Sequence, residues 1–294
     1  MKRIVVLSGK GGTGKTSIVA SLALAAAAEG GGLAAVDCDV DAPNLALLFG
    51  MGEGDFEEWK GIKASEKAAF DSEKCVHCGK CREICEFSAI EWDEGRRMPG
   101  IDRFLCEGCG ACGIVCPPGA ISIEKVENAS IGWGRSKYGF PVATGQLKMG
   151  ESSSGNVVAE VRKMADAVAG KEGAGHMLID AAAGISCPVI ASVTGTDYGL
   201  VVTEPTPPAL RDAGRAISLL GHFGVPTGMV LNKWDLNPDF SEKVSEFAER
   251  NGVPVLSRIP YDKTFTKAVA KLVPAAELSS ELKGMFSGIW EKIR

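Results

Sequence analysis

The chain lacks any apolar run approaching the roughly 20 residues that a membrane-spanning helix needs. It also lacks an excess of positive charge. Its 32 Lys and Arg against 37 Asp and Glu leave a net charge of −5, whereas nucleic-acid backbones are held by clustered Lys and Arg, so nucleic acid is excluded as the main partner. The opening, MKRIVVLSG, passes from a short basic start straight into a glycine loop, without the apolar stretch and cleavage site of a removable signal. A cytoplasmic location is the expectation. Cysteine, by contrast, is plentiful. Eight of the ten cysteines crowd between residues 75 and 116 at spacings typical of metal ligands, which points to ligation in a reducing compartment rather than to disulfides. With 294 residues, 45% of them hydrophobic, the chain can build one large domain or two unequal ones.

The apolar pattern predicts a strand at RIVVL, a glycine loop, then a helix at SIVASLALAAAAEG stopped by Gly30, Gly31 and Gly32. Further strands are predicted at LAAVDCD, HMLIDAA, YGLVVTEP, GMVLNK and PVLSRIP, with helices near 156–170, 207–222 and 240–250. Strands alternating with helices imply a mainly parallel sheet covered on both faces. The rhythm breaks between about 65 and 127, where the cysteines lie. The expectation is an α/β main domain, 1–64 and 128–294, with a small domain inserted at 65–127.

GKGGTGKT, residues 9–16, matches GxxxxGK[ST] without a mismatch. Gly11, Gly12 and Gly14 let backbone N–H groups turn toward phosphate oxygens, so that Gly11, Gly12, Thr13, Gly14, Lys15, Thr16 and Ser17 form the expected nucleotide cradle. Lys15 is placed to reach the β and γ phosphates, and the Thr16 hydroxyl to hold Mg²⁺. In MLIDAAAG, Asp180 ends an apolar strand where a carboxylate can bind Mg²⁺ through water, before a loop closed by Gly184.

Lys10 is more than the general pattern demands. With it, KGGTGKT resembles the deviant Walker A signature of the MinD, ParA and Mrp ATPases, shared with the nitrogenase iron protein. The resemblance implies a P-loop NTPase fold of the SIMIBI class and an ATP-bound homodimer in which Lys10 reaches the partner's phosphates. In VDCDVDAPNL it implies that Asp39 orients the attacking water and approaches Mg²⁺, with Asp37 in support and Asp41 able to act on Mg²⁺ through water. Lys10, Lys15 and Asp39 are thus the candidate catalytic residues. It further implies that Asn232 contacts adenine and that IPYD, through Pro260 and Asp262, borders the base. LNKWD also looks like the guanine-reading NKxD, with Asp235 as acceptor, so ATP is preferred and GTP stays open.

CVHCGKCREICEFSAI from Cys75 aligns without a gap on CEGCGACGIVCPPGAI from Cys106. Runs of CxxCxxCxxxC wrap 4Fe-4S clusters, and in two-cluster ferredoxins the fourth cysteine of each run serves the other cluster. Cys75, Cys78, Cys81 and Cys116 are the expected ligands of one cluster, and Cys106, Cys109, Cys112 and Cys85 those of the second, in a ferredoxin-like α+β insert. Zinc competes for CxxC pairs but leaves the CxxxC continuation unexplained. One departure is Glu86 after Cys85, where Cys116 is followed by Pro117.

Cys38 reads as a small buried residue, Cys187 as a packed thiol just beyond Gly184, and His77 as an exposed non-ligand. The final stretch, AAELSSELKGMFSGIWEKIR, has one apolar helical face. Its glutamates dilute its basic residues, so docking on the sheet is favoured over a membrane surface. The resemblance spans nearly the whole chain, and three functions follow from it. They are an ATPase coupling hydrolysis to electron transfer toward an unnamed redox partner, an iron–sulfur carrier, and a MinD- or ParA-like spatial organiser. The carrier reading is weakened because Cys187 has no CxxC companion.

Overall fold

The computed structural model describes residues 1–152 and 154–294. Two compact units are present. The first comprises Met1–Lys60, Ile131–Gln146 and the chain from Ser154 to Arg294; the second comprises Gly61–Ser130 with the segment beginning at Leu147.

In chain order the strands are β1 (Lys2–Ser8), β2 (Leu33–Cys38), β3 (Phe56–Ile62), β4 (Ser65–Phe70), β5 (Ile90–Asp93), β6 (Met98–Ile101) and β7 (Ile121–Val126). They continue as β8 (Ala129–Arg135), β9 (Pro141–Leu147), β10 (His176–Ala183), β11 (Tyr198–Thr203), β12 (Thr227–Asn232) and β13 (Val255–Ile259). The large sheet has the order β13-β12-β11-β1-β10-β2-β9-β8-β3. Its pairings from β13 across to β9 are parallel. Strands buried on both faces must be apolar throughout, and Ile4, Val5, Val6, Leu7, Leu178 and Ile179 are all fully buried. This places β1 beside β10, with their carboxyl ends on the edge where open parallel sheets bind ligands.

The helix Lys15–Glu29 is rich in Ala and Leu, and its long buried stretch fits between the sheet and the final helix, Ser280–Ile293. That final helix buries Leu282, Phe286, Ile289, Trp290 and Ile293, so its apolar face is spent on packing. No helix among the described residues is long and apolar enough to cross a membrane.

The large sheet extends further than the predicted βα rhythm. β8 and β9 are joined by a turn in which Ser136 N–H donates to the Phe140 carbonyl at 3.0 Å, and β3 forms the sheet's edge. Chain beyond residue 127 thus returns first as strands, and the second unit starts at Gly61, a few residues before the expected boundary.

The second unit is built twice over. β4 pairs antiparallel with β7, and β5 with β6. Each cysteine run carries one short helix, Lys80–Glu83 or Ala111–Ile114, entered through a left-handed glycine, Gly79 (φ 75°) or Gly110 (φ 79°). The repeat is 31 residues, Cys75 to Cys106, and the backbone obeys it. Asp71 N–H donates to the Ala120 carbonyl and Asp102 N–H to the Ala89 carbonyl, both at 2.8 Å. Positive φ recurs at His77 (56°) and Gly108 (67°), and at Ser88 (51°) and Gly119 (66°). Left-handed backbone is unfavourable for a side-chain-bearing residue, so His77 and Ser88 keep a shape that glycine supplies freely in the other copy.

Candidate nucleotide site and cysteine cavities

The loop after β1 takes left-handed turns at Gly12 (φ 82°) and Gly14 (φ 89°). A Cβ on Gly14 would sit 2.7 Å from Asn232 Nδ2, and Gly11 and Gly12 face open space. The loop is clamped from β12. Asn232 Nδ2 donates to the Thr13 carbonyl at 2.7 Å, and Lys233 Nζ to the Gly12 carbonyl at 2.9 Å. With these carbonyls held inward, the loop's N–H groups are free to face an anion at the start of the helix Lys15–Glu29.

Behind the loop, the buried ammonium of Lys15 contacts the buried carboxylate of Asp180. The other Asp180 oxygen, Oδ2, has no hydrogen-bond partner, and neither does the buried Thr13 hydroxyl. An unpartnered buried carboxylate oxygen is costly. It fits a hydrated Mg²⁺, with the half-buried Thr16 at the mouth of the helix; Asp180 does not end its strand as expected, since β10 continues to Ala183.

The three carboxylates after β2 separate by burial. Asp37 is buried and accepts from Asp39 N–H at 3.0 Å and from Asn44 and Leu45 N–H, each at 2.9 Å. Its pKa is raised, first by burial and then by the charge of Asp180. Asp37 therefore shapes the loop, a more structural part than supporting the water. Asp39 is half-buried, its pKa raised by burial and pulled back by Lys15. Asp41 is exposed. Only Asp39 combines nearness to Lys15 with an accessible carboxylate.

Lys10 contacts Glu204 at 2.6 Å, and Lys233 contacts the same carboxylate at 3.0 Å. Burial works against Glu204 ionisation, yet hydrogen bonds from Lys10 and Lys233 hold its pKa below the ordinary carboxylate value. Sequence reasoning missed Glu204 altogether; its one signal was a carboxylate at a strand's carboxyl end, in VVTEP. A cavity of about 350 Å³ runs from Gly12, Gly14 and Ser17 past Asn232 and Lys233 to Pro260, Tyr261, Asp262 and Phe265. The expected base-bordering residues thus join the phosphate loop in one space. One carboxylate that lines it, Asp262, and one outside its lining, Asp235, are partly engaged. Asp235 accepts from Tyr261 N–H at 2.6 Å, and Asp262 caps the helix Lys263–Ala270 through Thr264 N–H at 2.7 Å.

In the second unit, one apolar cavity is lined by Cys75, Cys78, Cys81 and Cys116, with Phe70, Trp92, Pro99 and Ile121. Another is lined by Cys106, Cys109, Cys112 and Cys85, with Ala68, Phe87, Ile90 and Ile123. The structure thus gathers three cysteines of each run with the fourth of the other. Every one of these thiols is free of disulfide bonding. Burial raises the pKa of Cys81 and Cys112, so thiolates at these positions call for a positively charged partner. Among the described residues, no three His, Cys, Asp or Glu side chains converge on the scale of a single metal ion. Of the other singled-out residues, Cys38 is buried, Cys187 is exposed and His77 is exposed with its Nδ1 2.8 Å from the Arg97 carbonyl.

Comparison with known proteins places these features. Residues 4–275 match the family model described as the CobQ/CobB/MinD/ParA nucleotide binding domain. An uncharacterised protein of Methanocaldococcus jannaschii is 32% identical over 294 residues, covering 99% of this chain and 96% of the relative. An uncharacterised ferredoxin of the same organism is 44% identical over 52 residues, 17% of this chain and 30% of the ferredoxin. The fold is that of the septum site-determining protein MinD of Pyrococcus horikoshii, solved with Mg-ADP. The TM-score is 0.58 at 20% identity, covering 99% of this chain and 95% of that one.

Proposed function

Because the chain belongs to the CobQ/CobB/MinD/ParA nucleotide-binding family, we propose that it is a Mg²⁺-dependent ATPase whose nucleotide state is coupled to electron transfer through two 4Fe-4S clusters. The observation that carries this reading is the exchange of fourth cysteines between the two cavities, in the same chain as a phosphate loop backed by Lys15 and Asp180. Cys75, Cys78, Cys81 and Cys116 would hold one cluster and Cys85, Cys106, Cys109 and Cys112 the other. Such groups supply one-electron storage in an apolar shell. Zinc is disfavoured because it leaves the CxxxC continuation of each run unexplained.

At the nucleotide site, phosphates lie on the loop's N–H groups, and the Lys15 ammonium leaves Asp180 for the β and γ phosphates. Asp180, through water, and Thr16 would hold Mg²⁺, which would give the unpartnered Asp180 oxygen a partner and neutralise phosphate charge. Asp39 orients the attacking water toward the γ phosphate. Lys10 exchanges Glu204 for phosphates of a second subunit, a charge-assisted contact that exists only in the dimer. ATP is favoured over GTP because Asn232, Pro260 and Asp262, the positions that the family resemblance sets against adenine, line the cavity. The cysteine unit begins at Gly61, after the loop that bears Asp39. Loops of this kind rearrange when the γ phosphate leaves, and this covalent continuity is the basis for coupling.

The test uses anaerobically purified full-length protein, expected to hold about eight irons per chain. Reduction potentials are measured with and without a non-hydrolysable ATP analogue, in wild type and Lys10→Ala. Coupling requires the analogue to shift the wild-type potentials and not those of Lys10→Ala, and by linkage cluster reduction must change ATP affinity by a matching factor. Identical potentials in all four samples would defeat it. Iron released to an apo-acceptor on hydrolysis would favour a carrier instead.

A further inference from the structure

The repeat supplies its own control. On the 31-residue spacing, Lys67 corresponds to Met98. Each cavity has two backbone donors to sulfur, though not all at matching positions, since Pro99, the counterpart of Ala68, has no N–H. Cys75 receives from His77 N–H at 3.4 Å and Cys116 from Ala120 N–H at 3.2 Å. Cys106 receives from Ala68 N–H at 3.4 Å and Cys85 from Ala89 N–H at 3.3 Å.

Charge is not balanced. Lys67 is 3% exposed, and its Nζ donates to the Cys106 carbonyl at 2.7 Å. The same ammonium lies 3.9 Å from Glu151, whose side chain is also buried. Arg103 takes the Glu151 Oε1 through Nε at 3.0 Å and Nη2 at 2.9 Å, while Oε2 has no hydrogen-bond partner. Two cations therefore share one carboxylate; Arg103 is half exposed, so the buried charges are those of Lys67 and Glu151, and it is the ammonium that meets the Cys106 carbonyl. At the matching place in the other copy stands a thioether. Glu86 and Glu107, next to Cys85 and Cys106, are exposed, where water and salt screen their charge; a buried ammonium is screened far less.

We propose that Lys67 makes the two cluster sites unequal, raising the reduction potential of the one at Cys85, Cys106, Cys109 and Cys112 above that at Cys75, Cys78, Cys81 and Cys116. The inference rests on the two-cluster reading above. Reduction adds a negative charge, and a fixed cation in low dielectric favours the reduced form. Each site has two backbone N–H donors to sulfur, so the side chain at 67 decides which one an electron prefers. An electron delivered to this chain comes to rest in the Cys106 cavity.

The test is a redox titration followed by electron paramagnetic resonance on anaerobic full-length protein. Wild type gives two distinct potentials. Lys67→Met, which installs the residue of the other copy, lowers the higher one toward the lower and leaves the lower in place. Lys67→Arg keeps most of the separation. Glu151→Gln moves the same potential in the opposite direction, upward, and carries the test alone if Lys67→Met loses iron. Equal wild-type potentials, unchanged potentials at full iron content in both Lys67→Met and Glu151→Gln, or equal movement of both signals overturn the proposal. Wild-type iron near half the expected content overturns the two-cluster reading beneath it as well.

Discussion

The two units prepare for their ligands by different means. At the nucleotide end of the large sheet, the charged groups pair with one another: Lys15 meets Asp180, and Lys10 and Lys233 share Glu204. A ligand there must displace ion pairs, and its binding is an exchange of partners. In the cysteine unit the cavities are lined by apolar residues and free thiols, held open by a backbone that repeats itself every 31 residues from Cys75 to Cys106. Binding there fills a preformed shape. The first arrangement favours exchange of partners and the second a fixed shape.

The largest expected effect tests the exchange. Lys15→Ala removes one member of a buried pair and leaves Asp180 charged with no counter-ion, a loss of about 3–5 kcal/mol in folding stability. Nucleotide affinity should fall by about 100-fold, from the lost charge-assisted phosphate contact. Chemical denaturation and nucleotide titration measure the two separately. A variant that loses affinity but no stability would mean that the Lys15–Asp180 contact contributes nothing in the free protein.

Cys81→Ser tests the preformed shape. Cys81 belongs to the small core that also holds Ile90, Cys112 and Ile121, yet it lines only the cavity of Cys75, Cys78 and Cys116. Iron should drop by about half while the other cluster keeps its spectrum. Loss of all iron would show that the two cavities form as one unit.

Much of this was legible in the sequence where burial or spacing left one solution. β1, β2, β10, β11 and β12 read as apolar runs because strands covered on both faces admit little else. The cysteine runs read as a repeat because both copies keep the same intervals. β3 was missed because FEEWKGI is an edge strand with charged, exposed residues, and β8 because two glycines interrupt ASIGWGR. The carboxylates Asp37, Asp39 and Asp41 alternate evenly in sequence, and only the fold separates them into a buried loop anchor, a half-buried catalytic candidate and an exposed residue. Glu204 and Lys67 carry no spacing signal; their meaning comes from what lies across the sheet or the cavity.

Asp39→Ala gives a narrower effect than Lys15→Ala. Asp39 is half-buried and makes no ion pair comparable to that of Asp180, so stability and ATP binding should stay close to wild type. Hydrolysis should fall by about 10²–10⁴-fold, the usual contribution of a group that positions or deprotonates the nucleophile. Single-turnover hydrolysis beside equilibrium ATP binding makes the measurement. Normal turnover in Asp39→Ala would return the role to Asp41 or to a backbone group.

The smallest effect is at Asp262, where both modes of preparation are in play. Its carboxylate lines the nucleotide cavity and at the same time caps the helix Lys263–Ala270 by accepting from Thr264 N–H at 2.7 Å. That hydrogen bond lowers its pKa, so at neutral pH the group is an anion already engaged. If it serves as a cap, Asp262→Ala costs about 1 kcal/mol of stability and changes ATP affinity by less than about threefold. Asp262→Ser, which can still cap, should recover most of the stability. If instead the carboxylate exchanges Thr264 for the nucleotide, as Lys15 exchanges Asp180 for phosphate, both variants lose affinity by about tenfold or more and Ser does not restore it. Thermal melts and ATP titrations of the two variants separate these outcomes. The first would place Asp262 with the preformed elements of the molecule, and the second would extend the partner exchange from the phosphates to the base.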